Sequence, residues 1–353
     1  MSLDALFTPF TYKNLHLKNR IVMAPMTRAF SDNGVPTQQI ADYYARRAGS
    51  EIGLILSEGT VINRPASKNI QNIPDFFGTE ALKGWKNVID SVHQNGGKMG
   101  PQIWHVGDTR SSPDYPTTEM EKASTMTLED IQDTIAQFAA SAKSAKDLGF
   151  DVLEIHGAHG YLIDQFFWEV TNTRTDEYGG KTLMERSKFA VDIIKAMRAA
   201  VGPDFTIIIR LSQWKQQDYK SRLATTPEEM EEWLVPMKEA GVDIFHCSQR
   251  RFWEPEFEGS DLNFAGWAKK LTGQPTITVG SVGLNGDFMG AFAGQGSEKS
   301  DLSELLKRLD RQDFDLVAVG RAILSDYEWA KKVKEGRFDE ISDFAGESLG
   351  VLY

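Results

Sequence analysis

Short runs of aliphatic and β-branched residues alternate along the chain with longer stretches whose apolar positions recur every three or four residues. Eight such runs read as strands: Ile21–Pro25, Leu54–Glu58, Met99–Ile103, Val152–Ile155, Thr206–Leu211, Ile244–Cys247, Thr276–Val279 and Leu316–Val319. Three of them open alike, as Phe150-Asp151-Val152-Leu153, Val242-Asp243-Ile244-Phe245 and Phe314-Asp315-Leu316-Val317. The clearest helical stretch puts Ile131, Ile135, Phe138, Ala142 and Ala145 on one face, with Thr127 placed to cap its start and Gly149 to end it. Thr226-Pro227-Glu228-Glu229 opens another, with proline just inside the start and acids where the helix dipole favours them. Strands and helices alternating eight times predict parallel βαβ units. Their simplest closure is α/β, a single (β/α)8 TIM barrel over residues 1–353 with extended loops. An open doubly wound sheet needs no different strand count and stays open as an alternative. Phe10–Leu17 reads as an N-terminal β-hairpin plugging the barrel bottom. Residues 104–126, rich in Ser, Thr and Pro, read as a long loop after the third strand, a length that usually goes with function or disorder.

Composition narrows the partners. Among 353 residues, 50 acidic side chains face 39 basic ones, a formal charge of −11, which argues against nucleic acid because that ligand needs a basic face. One cysteine excludes an internal disulfide framework and fits a reducing compartment. No stretch approaches the ~20 apolar residues of a membrane helix. The Met1–Pro9 segment lacks the charged-then-apolar run of a signal peptide, so a cytoplasmic protein is expected.

Chemistry in a barrel is expected where the strands run out at their C-terminal face. Those positions hold Pro25-Met26-Thr27, Glu58-Gly59, Gln102 to His105, His156-Gly-Ala-His159-Gly-Tyr161, Arg210, Cys247-Ser248, Gly280-Ser281 and Gly320-Arg321. Two imidazoles and a phenol past one strand can hold an electron-rich oxygen and supply a proton. A metal site built from His156, His159 and Asp164 is disfavoured, since the pair lacks the intervening glutamate of the zinc-protease helix signature. Gly280-Ser281 and Gly320-Arg321 follow the last two strands, where barrels commonly cradle a phosphate with backbone N–H groups, and Arg321 adds a fixed cation. Arg210, ending an apolar strand, must meet an anion or an acid such as Glu58. Gly294-Gln295-Gly296 is no dinucleotide fingerprint, so a nicotinamide would visit a shared site.

With these residues in hand, the chain resembles the Old Yellow Enzyme family of FMN-dependent ene-reductases nearly end to end. The resemblance runs from Leu6-Phe7-Thr8-Pro9 and Lys18 to Arg28, through Glu154-Ile155-His156-Gly157-Ala158-His159-Gly160-Tyr161-Leu162 and Thr171 to Gly180, to Gly320-Arg321. It implies non-covalently bound FMN lined by Pro25, Met26 and Thr27, with Gly59 letting the ring lie close to the second strand. It further implies that Gln102 reads the pyrimidine edge, Arg210 faces N1/O2, and Gly280, Ser281, Gly320 and Arg321 hold the phosphate. NADH or NADPH would reduce the flavin. An α,β-unsaturated substrate would then bind with His156 and His159 on its activating oxygen, Tyr161 as proton donor and Trp104 as a wall. Dimers are common among such relatives, so a homodimer is an expectation.

The chain departs from the commonest pattern at Thr27, where relatives carrying the equivalent of His159 often have Cys, and at Trp168-Glu169, where Ser-Pro is usual. Leu211 to Tyr219 resembles the NADH:flavin oxidoreductase subset. Arg250-Arg251-Phe252-Trp253 is a candidate lid whose basic pair could meet cofactor phosphates, and Phe344–Tyr353 could close the pocket. The competing functions are a barrel lyase or aldolase, which gives no role to Thr27, Gln102 and Arg210 together, and a non-catalytic flavin or phosphate binder in which Tyr161 merely packs.

Overall fold

The computed structural model describes residues 3–112, 115–286, 290–291 and 294–353. The expected long loop at 104–126 therefore lies partly outside the described residues. A two-stranded antiparallel hairpin, β1 (Phe10–Tyr12) and β2 (Leu15–Leu17), precedes eight parallel strands. These are β3 (Ile21–Met23), β4 (Leu54–Val61), β5 (Met99–Trp104), β6 (Val152–His159), β7 (Thr206–Lys215), β8 (Ile244–Ser248), β9 (Thr276–Val279) and β10 (Leu316–Val319). The last strand pairs with the first, Val317 opposite Ile21 and Val319 opposite Met23, so the sheet closes and the doubly wound alternative falls.

Strand positions follow the sequence pattern, but several lengths do not. β4, β6 and β7 continue past their expected ends into Gly59 to Val61, His156 to His159, and Ser212 to Lys215. An apolar run marks where a strand is buried on both faces; it says little about where pairing stops. Between β6 and β7 the register slips: Gly157 faces Leu211, whereas His159 faces Lys215. Two residues on β6 thus oppose four on β7, a bulge of the kind that redirects side chains at barrel rims.

The barrel interior is a separate apolar cluster of Val22, Leu54, Leu56, Val152, Ile208, Ile244, Ile277 and Leu316, joined at the bottom by Phe10, Leu15 and Leu17 of the hairpin. The hairpin is the expected plug. Each fully buried aliphatic side chain there contributes roughly 1.5–3 kcal/mol relative to exposure. The helix at Leu128–Leu148 begins on a reciprocal cap. Thr127 Oγ1 accepts from Asp130 N at 3.1 Å, Asp130 Oδ2 accepts from Thr127 N at 3.0 Å, and Gly149 closes the helix at φ +88°. Thr226 caps the helix at Pro227–Ala240. The loop after β5 is tied down by ion pairs: Arg64 bonds Glu121, Asp130 and Asp133, and His105 Nε2 lies 2.6 Å from Glu121. Among the described residues, no helix is long and apolar enough to cross a membrane.

Candidate active site

The C-terminal ends of the strands open into a cleft of about 1360 Å³, measured with its mouth. Pro25, Met26 and Thr27 border it after β3, Gly59 on β4, Gln102 and Trp104 on β5, and Arg210 on β7. His156, His159 and Tyr161 border it from β6 and the turn beyond. An adjoining recess of about 650 Å³ is lined by Gly280, Ser281 and Gly320. Pro25, Met26, His159, Arg210 and Arg321 face both spaces. The strand-end residues expected to hold FMN and substrate thus border these two adjoining spaces, whereas Glu58, His105 and Cys247 border neither.

The three rings form one wall of the cleft. His156 and Tyr161 cross edge to face at 5.0 Å, and His156 and His159 do so at 5.2 Å. Behind them, the Trp104 indole stacks on His156 at 5.8 Å and meets the Tyr161 edge at 4.7 Å. Trp104 is almost wholly buried, so it chiefly braces those rings. Gly59 is required for the same reason. A Cβ there would lie 2.5 Å from Trp104 Cε3, so the missing side chain makes room for the indole as well as bordering the cleft.

Burial, with Arg210 close by, pushes both imidazoles well below their ordinary range, so they are neutral at physiological pH. His156 Nδ1 accepts from Ala158 N at 3.4 Å, which leaves Nε2–H as its donor. His159 sits at φ +65°, stacks on Trp214 at 4.5 Å, and has Nε2 2.8 Å from Ser248 Oγ. Burial raises the Tyr161 phenol, and its oxygen accepts from Gln216 Nε2 at 2.8 Å. Asp164, considered above as a third metal ligand, is committed elsewhere: it pairs with Lys215 at 2.8 Å and accepts from Gly160 N at 2.7 Å.

On the neighbouring strand β5, Gln102 Nε2 donates to Glu154 Oε1 of β6 at 2.7 Å, while Glu154 Oε2 lies 2.6 Å from His246 Nδ1. This leaves the Gln102 carbonyl to accept from a ligand. Arg210 does not pair with Glu58. Glu154 is the acid whose charge it feels, and its buried Nε has no hydrogen-bond partner among the described residues. Glu58 instead accepts from Arg28 N at 2.8 Å and Ala29 N at 2.9 Å, fastening the turn that carries Thr27.

Gly280 has φ +147°, and a Cβ on it would lie 2.6 Å from the Gln249 carbonyl oxygen. Ser281 follows at φ +50°. The backbone at this turn is therefore bent as an anion cradle needs. Arg321 Nη2 donates to Gly286 O at 2.7 Å from the same side. In the segment at 250–253 only Phe252 is buried; its N–H donates to Gly280 O at 3.1 Å and Trp253 crosses it at 5.0 Å, while Arg250 borders the recess beside Gly280 and Ser281. The C-terminal segment does reach the cleft. Arg28 Nη2 donates to the carbonyls of Ser348, Leu349 and Val351, and Leu349 borders the mouth.

Ser248, Gln216, Glu154 and His246 carry the site without having been chosen for it, whereas Leu349 lies in the C-terminal segment expected to close the pocket. Ser248 stood at a strand end without a role. The continued alternation Leu211-Ser212-Gln213-Trp214-Lys215 was the available sign that β7 extends to the cleft.

Comparison with known proteins agrees with this geometry. Residues 5–340 match the model of the NADH:flavin oxidoreductase / NADH oxidase family. The chain is 32% identical to an NADH oxidase of Thermoanaerobacter brockii over 98% of its own length, and spans about half (53%) of that longer protein. It is 30% identical to 12-oxophytodienoate reductase 7 of Oryza sativa subsp. japonica, covering 91% of this chain and 85% of that one. Morphinone reductase superposes with a TM-score of 0.77 at 25% identity, covering 94% of this chain and 89% of that structure. The chain belongs to the NADH:flavin oxidoreductase / NADH oxidase family, the Old Yellow Enzyme family, and is an FMN-dependent oxidoreductase served by a nicotinamide reductant.

Proposed function

We propose that this protein is an ene-reductase, acting on alkenes conjugated to a carbonyl or nitro group, such as enones, quinones, maleimides and nitroalkenes. The residues present fit FMN. The unpartnered, buried Arg210 Nε suits a ligand edge that gains negative charge, and the Gly280–Ser281 turn suits a phosphate. Gln102 offers an acceptor to an imide N–H, and Pro25, Met26, Thr27 and Gly59 border the space between them. Gly320 and Arg321 complete the phosphate side. FMN held there would supply the hydride chemistry that links NADH or NADPH to the electron-poor β-carbon.

The chain's own residues bind and polarise the substrate. Neutral His156 and His159 donate to the carbonyl or nitro oxygen, and those bonds strengthen as charge gathers there. Tyr161 keeps its proton at neutral pH and gives it to the α-carbon, while Trp104 fixes the rings. The observation that carries the reading is the convergence of His156, His159 and Tyr161 on a cleft continuous with the Arg210 and Gly280–Ser281 recess. Tyr161→Phe tests it by anaerobic stopped flow. Flavin reduction by NAD(P)H should stay near wild type, while reoxidation by 2-cyclohexenone slows by about 10²-fold or more. Equal loss in both half-reactions would reject the role of Tyr161.

A further inference from the structure

Among the described residues the Tyr161 phenol has one side-chain hydrogen-bond partner, and that partner is a donor. Gln216 Nε2 lies 2.8 Å from Tyr161 Oη, and Gln216 borders the cleft beside it. An amide nitrogen cannot accept a hydrogen bond. The phenol oxygen therefore accepts from Gln216, and the phenolic hydrogen is left for the cleft. A carboxylate in the same place would have drawn that hydrogen away.

The chain builds this contact with some care. The bulge between β6 and β7 sets His159 opposite Lys215 and brings Gln216 N within 3.4 Å of His159 O. Beneath it, Lys215 and Asp164 form a fully buried pair at 2.8 Å, and Asp164 lies on the helical turn that starts just after Tyr161. Gln217 donates to Thr109 Oγ1 at 2.9 Å and to Gly160 O at 3.3 Å, which holds the next residue. Gln216 and Tyr161 are thus gripped from both sides.

We infer that Gln216 is a positioning residue for proton delivery, orienting the Tyr161 O–H toward the substrate's α-carbon and stabilising the phenolate left behind. The inference rests on Tyr161 being the proton donor. In that step the O–H bond breaks, the new C–H bond forms at the α-carbon, and the O–H electron pair stays on Oη. Gln216 Nε2–H bonds that charged oxygen more strongly than it bonds the neutral phenol. Water then returns a proton to Oη before the next turnover.

The test pairs two variants of the FMN-loaded enzyme with a readout independent of turnover. In enzyme labelled with 13Cζ-tyrosine, the Tyr161 signal, assigned by its loss in Tyr161→Phe, is titrated against pH. Gln216→Leu should raise the phenol's titration midpoint by about one to two pH units, the equivalent of a lost hydrogen bond to a charged group. It should also slow alkene reduction roughly ten- to a hundredfold with flavin reduction unchanged. Gln216→Glu keeps the size but donates only when protonated, so its alkene half-reaction should fall with rising pH across the carboxyl's titration, a limb absent from wild type. An unmoved Tyr161 midpoint in Gln216→Leu, or no new pH limb in Gln216→Glu, overturns the assignment to Gln216. A normal alkene half-reaction in Tyr161→Phe would instead remove the proton-donor reading beneath it, whatever the titration shows.

Discussion

Glu58 is the buried acid whose energetics can be worked from the structure. Its Oε2 accepts from the N–H groups of Arg28 and Ala29, its own N–H donates to Tyr44 Oη at 2.8 Å, and Oε1 is buried with no partner among the described residues. Burial pushes its pKa from 4.5 up to about 7, against the smaller opposing pull of the two backbone donors and the Arg28 guanidinium. The sign follows from linkage. As pH rises, the unfolded chain releases this proton first, so stability is full below about 4.5, declines through the interval, and has levelled off above about 7. A gap of that size corresponds to about 2.5 kcal/mol lost between pH 5 and pH 8, at 1.36 kcal/mol per unit. Glu58→Gln removes the titration and keeps an acceptor oxygen for the turn. Urea unfolding of both proteins at pH 5 and pH 8, at matched FMN saturation and ionic strength, isolates the effect by double difference. The variant should gain about 2.5 kcal/mol on wild type between the two pH values. A difference between the two proteins that is the same at both pH values would refute the reasoning. It would mean that Glu58 stays ionised in the fold and that the backbone donors outweigh burial.

The cradle and the imidazoles yield two more tests. Gly280→Ala forces a Cβ against the Gln249 carbonyl at 2.6 Å and a side chain onto φ +147°, so FMN should dissociate at least tenfold more readily, read by fluorescence of released flavin; retained affinity would take the phosphate away from this turn. Because burial and Arg210 hold His156 and His159 neutral, affinity for a phenolic or enone ligand should show no break near pH 6.5; a break there that vanishes in His156→Asn or His159→Asn would show an imidazole that still titrates.

The strand ends were legible in the sequence because the change in residue type is abrupt there. Thr206 to Ile209 are aliphatic or β-branched and Arg210 is not; Val152 to Ile155 give way to His156. Each pattern break marks the barrel rim, and at the rim a polar group needs a ligand or a partner. What escaped was decided by pairing at long range. Glu58 looked like a partner for Arg210 because acid and base suggest each other. Backbone donors 29 and 30 residues earlier took the carboxylate instead. The Gln216–Tyr161 contact spans 55 residues and exists through a register slip between β6 and β7, which no local periodicity encodes. The C-terminal segment was expected near the pocket, but not its anchor: Arg28, some 320 residues away, gathers three of its carbonyls and brings Leu349 to the cleft.

The distribution of charge around the cleft supports a division of labour. A net charge of −11 suggests an acidic surface, yet the cleft and its recess are bordered by Arg210 and Arg321, with Lys215 buried just behind. That local positive field does two things at once. It suits an anionic cofactor, and with burial it denies both histidines a second proton. Imidazoles that cannot charge are donors whose strength does not vary with cellular pH, but they are poor acids. Tyr161 differs on each count: burial keeps its phenol protonated, and its partner Gln216 gives a hydrogen bond to it and takes none. The residues best suited to hold the substrate oxygen are therefore unsuited to protonate carbon. Tyr161, the proposed proton donor, has its hydrogen uncommitted by the contact it makes.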